Sequence, residues 1–270
     1  MTTTISSSDK STAHNVRVAI ITVALGIAFG FVFLATQGST AFAQYETAFF
    51  LEKMLSIDNL AVMATIFTVF RCEGADQRKA LTYGIAGAVI MRLAFIMVGA
   101  EALERFEFMS VVFGLILGYS AWKMLRAGNH DESEPKSIQF VRRFFPGLST
   151  LVAVIVVIEL TDIIFAIDSV PVVLSITDDR WIALTSNVMA ILGMRSLFFV
   201  LRDGMNRITY LNQTLAVVLA YVGAKMALHK WVHINEGINI AIIATLFAIG
   251  IGISLLRKTD TADMLTGNHA

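Results

Sequence analysis

Residues 148–176 read LSTLVAVIVVIELTDIIFAIDSVPVVLSI. A membrane-crossing helix needs roughly 20 mostly apolar residues, and this run is longer than that. It nevertheless carries Glu159, Asp162 and Asp168. A charge at the bilayer centre costs roughly 2.5–3.5 kcal/mol on insertion scales, so three acids in one span call for partners. The wider composition points the same way. The 270 residues are 56% hydrophobic and 16% charged, where soluble domains carry about 25% charged residues. Mean hydropathy is +0.70.

Seven further runs of this kind complete the chain: Val16–Thr36, Ala48–Phe70, Ala80–Ala100, Met109–Leu125, Trp181–Leu201, Leu211–Leu228 and Ile238–Leu256. The expected fold is all-α: a polytopic membrane protein of about eight transmembrane helices. Residues 1–15 are an N-terminal tail, 126–147 a linker and 257–270 a C-terminal tail. Ala41-Phe42-Ala43 resembles a leader cleavage site, but the apolar run before it exceeds the usual 7–15 residues, so the first span is read as retained.

Orientation follows from Lys and Arg in the loops. With the N-terminus inside, the inner segments hold Lys10, Arg17, Arg71, Arg78, Lys79, Arg126, Lys136, Arg142, Arg143, Arg202, Arg207, Arg257 and Lys258. The outer loops hold Arg105, Arg180 and Lys230. This bias places both termini in the cytoplasm and makes Gly128–Arg143 a polar cytoplasmic linker whose acidic run, Asp131-Glu132-Ser133-Glu134, is solvated. Formal net charge is zero, so bulk charge says nothing about nucleic acid, and no nucleic-acid partner is expected of a chain of membrane spans. The partners are the lipid bilayer and whatever ion the buried acids attract, and a homo-oligomer stays open. Cys72 is the single cysteine, which rules out an internal disulfide and a cysteine-based metal site.

The sequence repeats itself. Leu55-Ser56-Ile57-Asp58-Asn59 matches Phe165-Ala166-Ile167-Asp168-Ser169, and at the same offset Glu52 falls on Asp162. Leu81-Thr82 and Met91-Arg92 match Leu184-Thr185 and Met194-Arg195. Tyr119, Lys123 and Met124 match Tyr221, Lys225 and Met226. Each copy is three spans long, residues 48–125 and 148–228. An odd number of spans inverts the second copy, an architecture recurrent in transporters whose site lies mid-membrane where the copies meet.

Nine of the charges within the spans of the two repeats form two opposed sets: Glu52, Asp58, Glu159, Asp162 and Asp168 against Arg92, Lys123, Arg195 and Lys225. Unpaired, they would cost on the order of 25 kcal/mol, more than a domain's usual stability. They must be paired, protonated, hydrated or bound to an ion. Glu159 and Asp162 share a helix face, as do Glu52 and Ser56. Glu52 and Asp58 are six residues apart, about 120° off one face, and Asp162 and Asp168 likewise. Either each pair serves two sub-sites or the helix unwinds between its members. Pro171 leaves the carbonyl of Ile167 without its usual partner, so a kink or unwound turn is expected beside Asp168.

Carboxylates, the Asn59 amide, the Ser169 hydroxyl and freed carbonyls form an oxygen-only set. Such a set suits the hard cations Mn²⁺, Mg²⁺ and Ca²⁺. His229 and His233 are read as interfacial, and Met54 and Met63 as packing. The competing reading is a set of buried salt bridges that hold the helices together. For Arg92 and Arg195 that reading is preferred: each neutralises a carboxylate or anchors a break. Lys123 and Lys225, near the ends of their spans, either snorkel or serve as tethered counter-ions. No nucleophile–base pair or zinc motif accompanies the acids, so no enzymatic activity is expected.

Phe50-Leu51-Glu52-Lys53-Met54-Leu55-Ser56-Ile57-Asp58-Asn59 and Ile158-Glu159-Leu160-Thr161-Asp162-Ile163-Ile164-Phe165-Ala166-Ile167-Asp168-Ser169-Val170-Pro171 are similar to the TerC family of integral membrane proteins. Thr185-Ser186-Asn187, Ile191-Leu192-Gly193-Met194-Arg195-Ser196-Leu197 and Gly223-Ala224-Lys225-Met226 extend the resemblance, which runs from about residue 45 to 255. Thr161 and Val170 depart mildly, where Ser and Ile are common. The resemblance implies a bacterial inner-membrane protein related to Alx-like manganese exporters and to the LysE superfamily of three-helix-repeat exporters. It also implies links to tellurite resistance and to metal loading of exported enzymes. It marks Glu52, Asp58, Glu159, Asp162 and Asp168 as ion ligands, with Asn59 and Ser169 behind them. The expected function is export of a divalent cation, Mn²⁺ before Ca²⁺ or Mg²⁺, by alternating access and proton exchange. The alternative is a membrane scaffold in a metal- or tellurite-stress complex.

Overall fold

The structure, a computed structural model, describes residues 7–126, 136–145, 147–202, 211–232 and 234–266. The acidic run Asp131–Glu134, His233 and the side chain of Asp58 lie outside the described residues. The elements are α1 Ser7–Gln37, α2 Ser39–Val69, α3 Gly74–Arg105, α4 Met109–Arg126, α5 Lys136–Phe144, α6 Thr150–Ile176, α7 Arg180–Ile191, α8 Met194–Arg202, α9 Leu211–Ala227 and α10 Glu236–Thr266. No strand occurs among the described residues. By length and composition, His14–Gln37, Gly74–Arg105, Thr150–Ile176 and Arg180–Val200 can each cross a membrane, and Gln213–Ala227 and Gly237–Gly250 are shorter apolar helices. The chain is an all-α polytopic membrane protein. In α2 the apolar character is diluted by Glu46, Glu52, Lys53 and Asp58.

The helices form two compact units, residues 1–106 with 132–205 and residues 107–131 with 206–270. In the first, α2 packs on α1, α6 and α7, while α3 packs on α6 and α7. Leu60, Ile66, Leu81, Val157, Ile191 and Phe198 belong to its larger apolar core. A smaller core joins Phe33 of α1 to Tyr45 and Phe49 of α2 and to Ile182 and Ala190 of α7. The Tyr45 hydroxyl donates to the carbonyl of Gly26 at 3.0 Å.

Matching helices of the two repeats run antiparallel. At the start of α2, the Gln44 side chain accepts from Thr177, which follows α6, at 3.1 Å. Thr82, early in α3, accepts from Arg195 of α8 at 3.4 Å, and Arg180, at the start of α7, donates to Glu101 and Glu104 at the end of α3. Two such contacts at opposite ends fix the direction of a helix pair.

The second unit shows the same pairing on its own terms. Ser110 of α4 donates to the carbonyl of Met226 in α9 at 2.6 Å. A Cβ added at Gly114 would lie 2.6 Å from the nitrogen of Ala227 and the carbonyl of Gly223, so the backbones meet through glycine. Tyr221 of α9 donates to Asn239 of α10 at 3.1 Å.

Three expectations need correction. The linker is not wholly polar: its residues Lys136–Phe144 form α5, which buries Ser137, Ile138 and Val141 and packs on α6. Its apolar positions one helical turn apart give it a face to dock. No unwound turn lies beside Asp168, because α6 runs helical through Pro171 to Ile176. One lost backbone donor is tolerated there. The break falls instead in the span read as Trp181–Leu201, where Leu192 is extended (ψ 128°) and Gly193 has φ +86°. A left-handed φ favours glycine, and a Cβ at Gly193 would also run into Thr22 of α1.

Candidate functional site

Helix geometry decides which of the acids meet. Glu52, Ser56 and Asn59 recur at four and three residues, which puts them on one face of α2. Asp162 and Ser169 share a face of α6 in the same way. Arg92 of α3 enters between these faces, and all six side chains are buried. Its guanidinium donates from Nη2 to Asp162 Oδ1 at 3.2 Å and from Nε to Oδ2 at 3.4 Å, a bidentate fork. Nη1 donates to Ser169 Oγ at 3.2 Å and stands in charge contact with Glu52 Oε1. Asn59, its amide turned so that the oxygen meets the guanidinium, accepts from Nη2 at 3.0 Å and donates to the carbonyl of Leu55 at 3.2 Å. Ser56 Oγ donates to the carbonyl of Glu52 at 2.7 Å.

Glu52, Asn59, Asp162, Ser169 and Arg92 are therefore gathered into one buried cluster joining the two repeats. Arg92 is the described counter-charge of Glu52, whose carboxylate is otherwise enclosed. Behind Asp162, Thr161 donates to the carbonyl of Val157 at 2.7 Å and lies 2.9 Å from the hydroxyl of Ser137. The linker helix thus docks behind the cluster.

The other expected ligands are placed differently. Glu159 lies one turn before Asp162, half-buried, with its carboxylate against Gly87 of α3. Asp168 is half-buried, and because α6 stays helical it sits about 120° around the axis from Asp162. The side chain of Asp58 is outside the described residues. Among the described residues, no group of three His, Cys, Asp or Glu side chains is arranged to hold one metal ion. Arg195 is exposed on α8 and bonds Thr82, away from the acids. Lys123 and Lys225 belong to the second unit, near the ends of α4 and α9.

Two residues escaped the sequence reading. Lys53 donates to the carbonyls of Ala190 and Leu192 at 2.7 and 3.0 Å, the groups released where α7 ends. The signal was present in a lysine inside span two and a glycine inside span six. Asn187, fully buried on α7, has both amide atoms without a described hydrogen-bond partner.

The three cations assigned to the outer loops are each paired with acids. Arg105 meets Glu101, Arg180 meets Glu101 and Glu104, and Lys230 meets Glu107 at 2.8 Å. The hydrogen bond and charge of Arg105, reinforced by Arg180, hold the Glu101 carboxyl below the usual carboxylate range, and Lys230 does the same for Glu107.

The buried acids, their counter-charge and the inverted repeat can be set beside known proteins. Residues 37–262 match the model of the family described as integral membrane protein TerC. The chain is 34% identical over 259 residues to the thylakoid membrane protein TERC, chloroplastic, of Arabidopsis thaliana, covering 88% of this chain and 67% of the relative. It is 32% identical over 263 residues to the uncharacterized membrane protein STKORF319 of Myxococcus xanthus, with 89% and 82% covered. It is 32% identical over 220 residues to Alx of Escherichia coli strain K12, whose name proposes a membrane-bound redox modulator, with 74% and 68% covered. No solved structure matches the chain. With the family model spanning most of its length, the chain belongs to the TerC family of integral membrane proteins.

Proposed function

We propose that the chain exports a divalent cation, Mn²⁺ first, across the inner membrane, with both termini cytoplasmic. The observation that carries this reading is the buried Glu52–Arg92–Asp162 assembly at the junction of two antiparallel repeats. Two carboxylates against one guanidinium leave a net negative charge, and Glu159 and Asp168 on the same helix add to it. A hard dication entering that field would find carboxylate, amide and hydroxyl oxygens of the type it prefers. Several acids this close cannot all stay ionised in a low dielectric, so cation entry would release protons and couple export to proton exchange. Alternating access between the repeats would carry the ion past the cluster.

Uptake of Mn²⁺, Ca²⁺ and Mg²⁺ into proteoliposomes at several pH values tests this. Asp58→Asn, Asp162→Asn and Asp168→Asn should each abolish Mn²⁺ uptake and growth in excess Mn²⁺ at unchanged protein level. Wild-type tolerance in all three would sink the assignment.

A second reading is favoured by one observation: Arg92 already engages Glu52, Asp162, Ser169 and Asn59. The charges then serve packing, and the chain is a scaffold in a metal- or tellurite-stress complex. A stoichiometric partner on purification, with no metal bound by the isolated protein, would favour it. For the redox role in the name of Alx, these 270 residues offer a single cysteine, the buried Cys72, so an internal dithiol couple has no second member.

A further inference from the structure

Span six breaks inside a run apolar enough to cross the bilayer, Arg180–Val200. Carbonyls released there have no bulk water to turn to, and each left unmet costs several kcal/mol in hydrocarbon. The ammonium of Lys53 meets two of them, those of Ala190 and Leu192. Lys53 belongs to α2, and its chain neighbour Glu52 is in charge contact with Arg92. Successive helical residues point about 100° apart, so one turn of α2 presents Glu52 to α3 and α6 and Lys53 to α7. The carboxylate cluster and the break are thus held by adjacent residues of one rigid element. The break itself has the form of a hinge: a glycine at φ +86° between two short helices, the second of which packs on α1 and α2.

We propose that Lys53 is a positioning residue, a latch whose ammonium holds the Leu192–Gly193 hinge closed, so that charge entering the Glu52–Arg92–Asp162 cluster shifts α2 and frees α8. The latch stands on the hydrogen bonds alone, and its coupling to ion movement rests on the transport reading above. A Lys53 of purely structural value would affect how much protein folds, whereas a latch affects the population of hinge states in the folded protein.

The test uses the full chain in nanodiscs, on a Cys72→Ala background, with spin labels at Val152 of α6 and Val200 of α8. Without metal, the unsubstituted protein and Lys53→Arg should give one narrow distance population, and Lys53→Met a second, longer one. Adding Mn²⁺ should raise that second population in the unsubstituted protein and leave Lys53→Met unchanged. Mn²⁺ uptake per folded molecule should fall about tenfold or more in Lys53→Met and recover in Lys53→Arg. If Lys53→Met does not fold, Lys53→Gln, which keeps one donor, should show a partial second population. A distance distribution in Lys53→Met, or in Lys53→Gln, that matches the unsubstituted protein overturns the latch, even where Mn²⁺ uptake is normal. A protein that takes up no Mn²⁺, yet gains the second population in Lys53→Met, keeps the latch and removes the transport reading.

Discussion

Arg92 and Arg195 occupy matching places in the two repeats, each following a methionine, and they end in opposite surroundings. Arg92 is fully buried and engages four side chains of α2 and α6. Arg195 is exposed and reaches a single threonine, Thr82. The difference lies three and two residues upstream. In α3 the sequence Val89-Ile90 continues the helix, whereas its counterpart Leu192-Gly193 breaks it. A continuous helix carries Arg92 to the face opposite the acids, while the break re-aims α8 and takes Arg195 outward. One glycine thus turns a symmetric sequence into an asymmetric site, with a guanidinium supplied by the first repeat alone.

The strongest way to break this comparison is to truncate both arginines. Arg92→Leu leaves Glu52 and Asp162 buried without a counter-charge, a loss of about 3–5 kcal/mol. Arg195→Leu removes an exposed hydrogen bond and should cost no more than about 0.5 kcal/mol. Unfolding of each variant in the same detergent measures both. Adding Asp162→Asn to Arg92→Leu should recover part of the loss, because it removes one stranded charge. Equal losses from the two arginines would show that the repeats are symmetric after all.

A smaller effect separates the helices themselves. Gly193→Ala forces a left-handed backbone on a residue with a Cβ and drives that Cβ into Thr22, together roughly 2 kcal/mol. Ile90→Gly at the matching place in α3 places glycine in a helix interior and should cost about 1 kcal/mol. Ile90 is 67% exposed, so little packing is lost with it. Thr22→Ala added to Gly193→Ala should relieve the contact part of the cost and leave the backbone part. A Gly193→Ala protein as stable as the parent would mean that Lys53 and not the glycine sets the break.

Much of this arrangement was legible in the sequence, and the exceptions have a common cause. Long apolar runs mark the membrane, and matches at Asp58/Asp168, Arg92/Arg195 and Lys123/Lys225 mark the inverted repeat. Helix pitch alone put Glu52 with Ser56. The location of the break was misread at Pro171, where the sequence shows a local defect that α6 absorbs. The true break at Gly193 depends on Thr22 of α1 leaving no room for a Cβ and on Lys53 of α2 meeting the carbonyls. Both are tertiary contacts from distant parts of the chain. Arg92 was foreseen as a counter-charge, but its bidentate choice of Asp162 over Asp168 required α6 to remain helical through Pro171.

The smallest expected effect concerns the two ties between α3 and the broken span. One is Arg195 to Thr82, and the other joins Arg180 to Glu101 and Glu104 at the opposite end. The second tie contains the carboxylate of Glu101. Glu101 ionises below its ordinary value of 4.5, chiefly through the hydrogen bond from Arg105 and then its charge, with Arg180 adding to both. A depressed carboxylate contributes stability above its unfolded pKa and loses it as pH falls through the folded value. The contribution should therefore be complete at neutral pH and fade below about pH 4.5. Glu101 and Arg180 are half-buried and still reached by solvent, so the effect should shrink in high salt. The difference in unfolding temperature between the parent and Glu101→Gln, followed from neutral to acid pH, isolates it from the other acids. That difference should close on acidification, while the same difference for Arg195→Gln should stay flat. A flat curve for Glu101→Gln would mean that Arg180 ties α7 to α3 through Glu104 and not through Glu101, so that the acid one turn further on carries the tie.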